Sequence, residues 1–214
     1  MHTIHAHKDS TAHGNLNNVS QQIMTIGVLA LQGDFREHIN MVQKCNAGTV
    51  EIRLPAQLDN IDGLIIPGGE STTISKLMVE YNFLDRIKSF AMAGRPVFGT
   101  CAGAILLADK IGGKKQDLLN LIDIDVSRNA YGSQVYSREA EIKVEFLEPE
   151  IFRAVFIRAP IIDSIGPHVV PLASYNNTYV LVRQDNILVS TFHPELTGDS
   201  RIHQYFLRMI NQTP

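Results

Sequence analysis

Apolar and polar positions along the chain follow two periods, and their order predicts an α/β fold. Residues 25–31 form a continuous apolar run, which predicts a strand buried on both faces. Ile74, Leu77, Met78 and Tyr81 recur at i, i+3, i+4 and i+7, which predicts an amphipathic helix. In the first half, further strands are predicted at 49–54, 63–66 and 96–99, and further helices at 35–42, 83–93 and 102–111.

The second half of the chain is richer in strand patterns. Apolar runs predict strands at 121–126, 141–146, 154–157 and 169–173, a hairpin of 178–183 with 187–192 around Gln184-Asp185-Asn186, and a last helix through residues 202–210. Alternating strands and helices favour parallel pairing, because each helix returns the chain to the same end of the sheet. The fold class is therefore predicted as α/β, with a mostly parallel central sheet flanked by helices on both faces and a strand-rich second half.

Residues 1–23 differ from the rest. They are rich in His, Asn, Ser and Thr and lack the continuous apolar stretch of a secretory signal. His2, His5, His7 and His13 leave metal binding open, but a disordered polar leader, with Met24 as a natural start, is the preferred interpretation. Residues 24–214 are predicted to form a single domain.

Composition narrows the functional classes. The 214 residues are 44% hydrophobic and 19% charged, which is typical of a globular protein. A formal net charge of −3 provides no basic excess for nucleic-acid phosphates. No apolar run reaches membrane-spanning length, and two cysteines make no disulfide framework. We therefore expect a cytoplasmic protein.

The candidate nucleophile is Cys101, within Gly99-Thr100-Cys101-Ala102-Gly103. This G-x-C-x-G run lies between a predicted strand and a predicted helix, the arrangement of a nucleophile elbow with cysteine in the serine position. The first turn of a helix also favours a thiolate through its exposed N–H groups. The alternative is a buried structural cysteine, which is the preferred interpretation for Cys45.

The candidate base is His193, with Glu195 as the group that orients it. His193 ends a strand-like run, and sites in open α/β sheets gather at the carboxyl ends of strands, where Cys101 is also expected. Glu195 can accept the second ring N–H of the histidine and fix its tautomer. A surface turn explains His-Pro-Glu equally well when that motif is taken alone.

A third element is Pro67-Gly68-Gly69-Glu70-Ser71, directly after a predicted strand. Glycines allow a close backbone approach and can aim N–H groups at a developing oxyanion. The alternative interpretation is an ordinary strand-to-helix turn in which Ser71 caps the helix that follows.

Together these motifs resemble the triad-type (class I) glutamine amidotransferases, and among them the glutaminase subunits of two-protein pyridoxal 5'-phosphate synthases. The runs that carry the resemblance are LQG at 31–33, REH at 36–38, PGGESTT at 67–73, FGTCAG at 98–103, RNAYG at 128–132, FIRAP at 156–160 and FHPELT at 192–197. They span nearly the whole chain beyond the leader. The FIRAP and HPELT runs are much more diagnostic than the elbow, which is common to the wider superfamily.

The resemblance implies a role for each matching position. It implies Cys101 as nucleophile with His193 and Glu195 as partners, and L-glutamine contacts from Gly69, Glu70, Ser71, Arg128, Ile157 and Arg158. An arginine fork suits the α-carboxylate of an amino acid, although a lone arginine is usually a solvated surface charge. The resemblance also implies that the partner is a (β/α)8-barrel synthase subunit, in a large hetero-oligomer, which receives the ammonia. Nothing in the sequence indicates a bound metal or cofactor, and the resemblance implies that pyridoxal phosphate is made on the other subunit.

The chain departs from the family pattern where Ser133, Tyr136 and Arg138 replace the usual Arg, Asp and Phe, at the pocket edge or partner contact. Three alternative functions remain at this stage. They are a glutaminase of another pathway (histidine, GMP or carbamoyl-phosphate synthesis), a cysteine-elbow hydrolase or sensor of the stress-response kind, and a catalytically dead binding subunit. The last is disfavoured because every triad position is filled.

Overall fold

The computed structural model describes residues 24–115, 118–128 and 137–212. The predicted leader, Ser133 and Tyr136 lie outside the described residues. Within the described ranges the strands are β1 (Thr25–Leu29), β2 (Gly48–Ile52), β3 (Gly63–Ile66), β4 (Val97–Thr100), β5 (Ala108–Ile111), β6 (Lys114–Lys115), β7 (Ile122–Ser127), β8 (Ser137–Lys143), β9 (Ile151–Ile157), β10 (Ile161–Ile165), β11 (Val170–Tyr175), β12 (Thr178–Gln184) and β13 (Ile187–Ser190).

The described helices confirm most of the helical predictions. They are α1 (Phe35–Lys44), α2 (Ser71–Glu80), α3 (Phe83–Met92), α4 (Ala102–Leu107) and α5 (Arg201–Ile210), with 3-10 turns at Pro55–Asn60 and Pro194–Leu196. In the same ranges, no helix combines the length and apolar character needed to cross a bilayer.

Two local predictions were wrong, and some strands were missed. The helix expected at 102–111 ends at Leu107, because Ala108 begins β5 and pairs with Ile122 of β7 in parallel. The strand expected at 141–146 instead runs from Ser137 to Lys143 and pairs with β9. β10 and the two-residue β6 were not predicted, since β6 is a pair of exposed lysines without apolar alternation.

A parallel five-strand unit forms the centre of the fold, in the order β2-β1-β3-β4-β13. Beyond it β12 pairs with β13 in the predicted antiparallel hairpin, and β10, β7, β5 and β6 extend the sheet. β11 branches from β12, while β8 and β9 form a separate hairpin. The predicted α/β class and strand-rich second half are confirmed.

Helices cover both faces of the central strands. Along β3, Leu64 and Ile66 pack into the apolar layer that includes α2, α3 and α4. Ile65 points the other way, into the layer that includes α1, α5 and the β8–β9 hairpin. The alternation follows from the period of two in a strand, and it buries Ile65 and Ile66 completely. Burial of one such side chain contributes about 1.5–3 kcal/mol.

The topology also gathers the loops that carry the chemistry. β1, β3, β4 and β13 are parallel neighbours, so their carboxyl ends meet at one edge of the sheet. The segments that leave this edge contain Asp34, Gly69, Cys101 and His193. This is the expected place for a site in an open α/β sheet.

Candidate active site

Cys101 lies in a strained turn between β4 and α4. Its backbone has φ 48° and ψ −102°, a combination that residues other than glycine rarely adopt. Gly103 is required beside it, because a Cβ there would lie 2.2 Å from the carbonyl oxygen of Ile66. A Cβ on Gly99 would lie 2.8 Å from the Gly103 carbonyl. The two glycines of the motif therefore let the elbow sit directly on its neighbouring strand.

The Cys101 thiol is only 6% exposed, and its Sγ lies 3.6 Å from the carbonyl oxygen of Ile157, to which it donates. Ile157 ends β9, so the β8–β9 hairpin reaches the nucleophile. The predicted alternative of an inert core cysteine does not fit this position, because Cys101 lines an open cleft. Cys45 is half-buried and packs at the margin of the α1–α5 layer.

His193 and Glu195 form the hydrogen bond expected from their spacing. His193 Nδ1 donates to Glu195 Oε1 over 2.7 Å, and both side chains are buried. The 3-10 turn at Pro194–Leu196 folds the carboxylate back against the ring. Nε2 of His193 is buried without a hydrogen bond of standard geometry among the described residues, which leaves it for the thiol.

The electrostatics favour an imidazolium at His193. Burial lowers its pKa, but the adjacent Cys101 and the hydrogen bond with Glu195, together with the charges of both, raise the pKa to about 11. For Glu195, burial raises the pKa of the carboxyl, and the bond from His193 and its positive charge oppose that effect. Cys101, His193 and Glu195 therefore lie together, as a nucleophile, a base and its orienting group require.

The glycine-rich turn after β3 differs in one detail from its prediction. Glu70, not Ser71, caps α2: its carboxylate accepts from the backbone N–H groups of Thr72 (3.0 Å) and Thr73 (2.6 Å). Hydrogen bonds from the Thr73 hydroxyl and then from these N–H groups lower the pKa of Glu70 to about 2. Ser71 is buried at the first position of the helix. Glu70 caps the helix in place of Ser71 because its carboxylate accepts from two otherwise unpaired N–H groups at once.

The loop after β1 holds the glycine-rich turn in place. Gly33 has φ 101°, and a Cβ there would lie 1.8 Å from the carbonyl oxygen of Gly68. The Asp34 N–H donates to that same oxygen over 3.1 Å, and the Gln32 side chain accepts from the Glu70 N–H over 2.8 Å. These contacts explain the glycine of the LQG run, because only glycine allows the loops after β1 and β3 to touch.

A cleft of about 840 Å³ brings most of the predicted site residues together. Its lining includes Gly69, Glu70, Ser71, Cys101, Arg128, Ile157, Arg158 and His193. Glu195 lies behind His193 and is reached through that ring. Arg128 and Arg158 are both exposed, and Arg158 has φ 46°. Residues 129–136, next to Arg128 in sequence, lie outside the described part of the chain.

The sequence interpretation missed two residues of this site. Asp34 Oδ2 lies 3.5 Å from His193 Nδ1, and burial, as the largest influence, raises the pKa of Asp34. Ala102 lines the cleft as the first residue of α4, so its N–H is one of the donors without an intrahelical partner. The role of Ala102 could have been predicted from the sequence, because the elbow motif places this N–H beside the nucleophile. Asp34 carried no such signal.

Asp34, His193 and Glu195 also form a group whose ligand atoms lie within 4.8 Å of one another. An imidazolium donates at both nitrogens and cannot bind a metal ion. The raised pKa of His193 therefore suits proton transfer in this group better than metal binding.

Arg138, which departs from the family pattern, stacks on aromatic rings. Its guanidinium lies 4.6 Å from the ring centre of Tyr175 and 5.7 Å from that of Phe156. A cation over a ring face makes a favourable contact. Arg138 therefore packs against the aromatic side chains of β9 and β11.

The model of the SNO glutamine amidotransferase family matches residues 28–212. The chain belongs to this family. A relative from Moorella thermoacetica named "Pyridoxal 5'-phosphate synthase subunit PdxT" is 54% identical over 187 residues, which cover 87% of this chain and 100% of the relative. A relative of the same name from Desulforudis audaxviator is 51% identical over 189 residues, or 88% of this chain and all of that one.

Solved structures agree with the assignment to the SNO family. A crystal structure of a glutamine amidotransferase superposes with a TM-score of 0.83 at 46% identity, covering 87% of this chain and 98% of the other. A structure of PurLQS from Thermotoga maritima has a TM-score of 0.64 at 16% identity, covering 89% and 96%. The second likeness shows the common fold alone. The family resemblance noted in the sequence is therefore confirmed.

Proposed function

We propose that this chain hydrolyses L-glutamine to glutamate and ammonia through Cys101, His193 and Glu195, and supplies the ammonia for pyridoxal 5'-phosphate synthesis. The observation that carries the proposal is the meeting of the strained Cys101 with the buried His193–Glu195 pair in one cleft. The amidotransferase family of the chain and the names of its relatives support the substrate and the pathway. We also propose residues 24–214 as one amidotransferase domain.

The first step is attack on the side-chain amide. The Cys101 thiolate adds to the amide carbon, and the oxygen takes up negative charge. The N–H groups of Gly69 and Ala102, which line the cleft, are the proposed donors to that oxygen. The Glu70 N–H is already bonded to Gln32, so it is a poorer candidate in this conformation.

The second step releases ammonia. The His193 imidazolium donates its Nε2 proton to the departing nitrogen, the carbon–nitrogen bond breaks, and a glutamyl thioester remains on Cys101. His193, now neutral, removes a proton from water, which attacks the thioester and releases glutamate. Glu195 stabilises the imidazolium at the start and end of this cycle.

Cleft residues around the triad are proposed to bind the rest of the substrate. Arg128 and Arg158 offer cationic forks for the α-carboxylate of glutamine. Gly69, Glu70, Ser71 and Ile157 are proposed to contact the substrate mainly through backbone groups, because the Glu70 carboxylate is occupied by its cap. We propose no metal or cofactor for this chemistry.

The proposed partner is a (β/α)8-barrel synthase subunit in a large hetero-oligomer, which the resemblance implies. Ammonia is mostly protonated in water at neutral pH, so its use as a nucleophile requires delivery to a neighbouring site. The partner and the expected cytoplasmic location remain predictions.

The decisive experiment is a coupled assay for pyridoxal 5'-phosphate from glutamine, ribose 5-phosphate and glyceraldehyde 3-phosphate, with and without the synthase subunit. We expect product only with both proteins, and none with Cys101→Ala. A glutamine pulse quenched in acid should leave a glutamyl adduct on the Cys101 peptide, detected by mass spectrometry. Rapid glutamine hydrolysis by Cys101→Ala would refute covalent catalysis. A wild-type complex that hydrolyses glutamine without making the phosphate would refute the pathway.

A further inference from the structure

Behind the triad, two histidines link its carboxylate to the first and last helices. His38 on α1 and His203 on α5 are both fully buried. His38 Nδ1 lies 3.0 Å from His203 Nε2, and His38 Nε2 lies 3.0 Å from the Thr100 hydroxyl oxygen. The same Nε2 lies 3.3 Å from Glu195 Oε2, the carboxylate oxygen that His193 does not use. The proposed mechanism assigns no role to this cluster.

The contacts select one arrangement of protons. Glu195 Oε2 is buried and has no hydrogen bond of standard geometry among the described residues, although His38 Nε2 lies close to it. If His38 Nε2 were unprotonated, its lone pair would face a carboxylate oxygen across 3.3 Å, which is repulsive. A proton on Nε2 of His38 removes this repulsion: the N–H then donates to the Thr100 hydroxyl and lies beside Glu195 Oε2.

That assignment fixes the second histidine as well. With its proton on Nε2, His38 accepts at Nδ1, so His203 must donate from its own Nε2. The remaining atom, His203 Nδ1, then carries only a lone pair, and it has no hydrogen-bond partner among the described residues. The opposite direction would bury an unpaired N–H there, which costs more than an unused acceptor. All donors thus point from α5 through α1 toward Glu195.

Both histidines are held neutral. Burial, followed by the repulsion that a positive charge on His203 or His193 would exert, lowers the pKa of His38 well below its ordinary value. Burial lowers the pKa of His203 to about 3. The ionisable groups around His38 are His203 from α5, His193 and Glu195 from the segment after β13, and Asp34 at the start of α1. Because His38 is neutral, its N–H can stabilise the Glu195 carboxylate without placing a second positive charge beside the His193 imidazolium.

We propose that His38 is a positioning residue, whose Nε2–H holds the second oxygen of Glu195 while His203 fixes the tautomer of His38. This inference rests on the proposed function, because it assigns His38 a role in orienting the triad. With Oε1 bonded to His193 and Oε2 3.3 Å from His38 Nε2, the carboxylate has a ring nitrogen beside each oxygen, and both oppose its rotation. Thr100, directly before Cys101, ties the same cluster to the nucleophile elbow.

The alternative is a pair of core histidines that merely fill space. An apolar side chain of similar size at position 38 would fill the same space beneath α1 without burying polar atoms. His38 instead occupies the apolar face of α1, at i+3 from Phe35 and i−4 from Val42, and directs its polar edge at the triad. The two interpretations differ in what they predict for catalysis.

The test compares three variants of the full chain. His38→Leu removes the donor, and His38→Gln retains an N–H group at about the distance of the histidine Nε2. Val42→Ala, one turn along α1 and also fully buried, is the matched control for a damaged core. Steady-state glutamine hydrolysis gives kcat and KM, and circular dichroism with thermal melting reports folding.

A second readout does not depend on glutaminase activity. The rate of Cys101 alkylation by iodoacetamide is followed from pH 5 to pH 10. Without His38 beside it, the Glu195 carboxylate can rotate away from His193 Nδ1, so it supports the imidazolium less and the thiolate forms at higher pH. For His38→Leu we expect kcat to fall roughly tenfold to a hundredfold, the usual range for groups that orient a ligand or catalytic side chain, at nearly constant KM. The alkylation midpoint should rise by about one pH unit.

His38→Gln should recover most of both effects, and Val42→Ala should melt earlier without moving the alkylation midpoint. A wild-type kcat and alkylation profile in folded His38→Leu would overturn the proposal. Equal losses in His38→Leu and Val42→Ala, with unmoved midpoints, would reduce His38 to a packing residue. Absence of glutamine hydrolysis in every preparation, wild type included, would instead refute the proposed function, while the alkylation profiles would still test His38.

The tautomers can also be measured in the wild-type protein, which covers the case of a His38→Leu chain that does not fold. Long-range proton–nitrogen spectra of histidine-labelled protein distinguish Nδ1–H from Nε2–H. His38→Gln and a His203→Gln variant supply the assignments. We expect neutral Nε2–H forms for both residues at pH 7. A proton on Nδ1 of His38 would overturn the proposed direction of the hydrogen bonds.

Discussion

His193 and Glu195 are two residues apart, yet the carboxylate reaches back to bond Nδ1 of the ring over 2.7 Å. The intervening Pro194 starts a short 3-10 turn, whose tight geometry brings the two side chains to the same side. The ring therefore presents its other nitrogen toward the cleft, where Cys101 lies. A local turn in the chain thus sets the orientation of the proposed base.

Replacing Glu195 by glutamine tests this orientation. The amide retains the size of the side chain but cannot stabilise an imidazolium, and it can bond the wrong tautomer. We expect kcat for glutamine to fall roughly a hundredfold to ten-thousandfold with little change in KM. Glu80→Gln, at an exposed position on α2, is the control. Unchanged turnover in Glu195→Gln would remove Glu195 from the triad.

Gly103→Ala tests the packing of the elbow. The new Cβ would lie 2.2 Å from the Ile66 carbonyl oxygen, so α4 must move away from β3. Overpacking of this kind costs roughly 1–3 kcal/mol, and the displaced elbow should also lower kcat. Gly198→Ala is the matched control, because a Cβ there meets nothing within 4 Å. Urea unfolding that finds the two variants equally stable would contradict the geometry.

Arg128→Gln tests recognition of the substrate carboxylate. A hydrogen bond between charged groups contributes about 1.5–3 kcal/mol, so its loss should raise KM for glutamine roughly tenfold to a hundredfold. The effect on kcat should be smaller, because Arg128 does not touch the reacting amide in the proposed mechanism. Arg86→Gln, which breaks an exposed ion pair with Asp59, serves as the control. If KM is unchanged, Arg128 is a solvated surface charge and Arg158 becomes the candidate.

The two buried neutral histidines predict a loss of stability in acid. The pKa of His38 and that of His203 are lower in the fold than the ordinary 6.5. Their contribution is therefore complete above pH 6.5 and is lost as pH falls toward the folded values, because the unfolded chain binds protons that the fold excludes. Each such proton steepens the decline by about 1.4 kcal/mol per pH unit.

The pKa of His193 is shifted in the opposite direction from those of His38 and His203, so its effect on acid stability is also opposite. Its raised pKa gives a contribution that is present below pH 6.5 and disappears as pH rises toward about 11, so it does not cause loss in acid. Urea unfolding at pH 7.5, 6.5 and 5.5 should show a shallower acid decline for His203→Gln than for wild type. His168→Gln, which removes an exposed loop histidine, controls for composition. Parallel declines in wild type and His203→Gln would contradict a neutral His203.

The sequence by itself determined the order of elements, the elbow at Cys101 and the pairing of His193 with Glu195. Each of these depends on neighbours in the chain: period-two or helical alternation, flanking glycines, or a spacing of two residues. Local patterns failed where pairing decided the outcome, as at Ala108, which leaves the helix because β7 offers it a parallel partner.

Only the tertiary structure decided which distant groups surround the triad. His38 is a helical residue on an apolar face, and His203 lies on another helix 165 residues away. Their hydrogen bonds exist because α1 and α5 pack on the same face of the sheet, beneath the end of β4. The contact of Gly33 with Gly68 likewise depends on how closely the loops after β1 and β3 approach each other. The spacing of residues along the chain does not reveal these contacts, because side chains from distant segments meet only when the helices pack against the sheet.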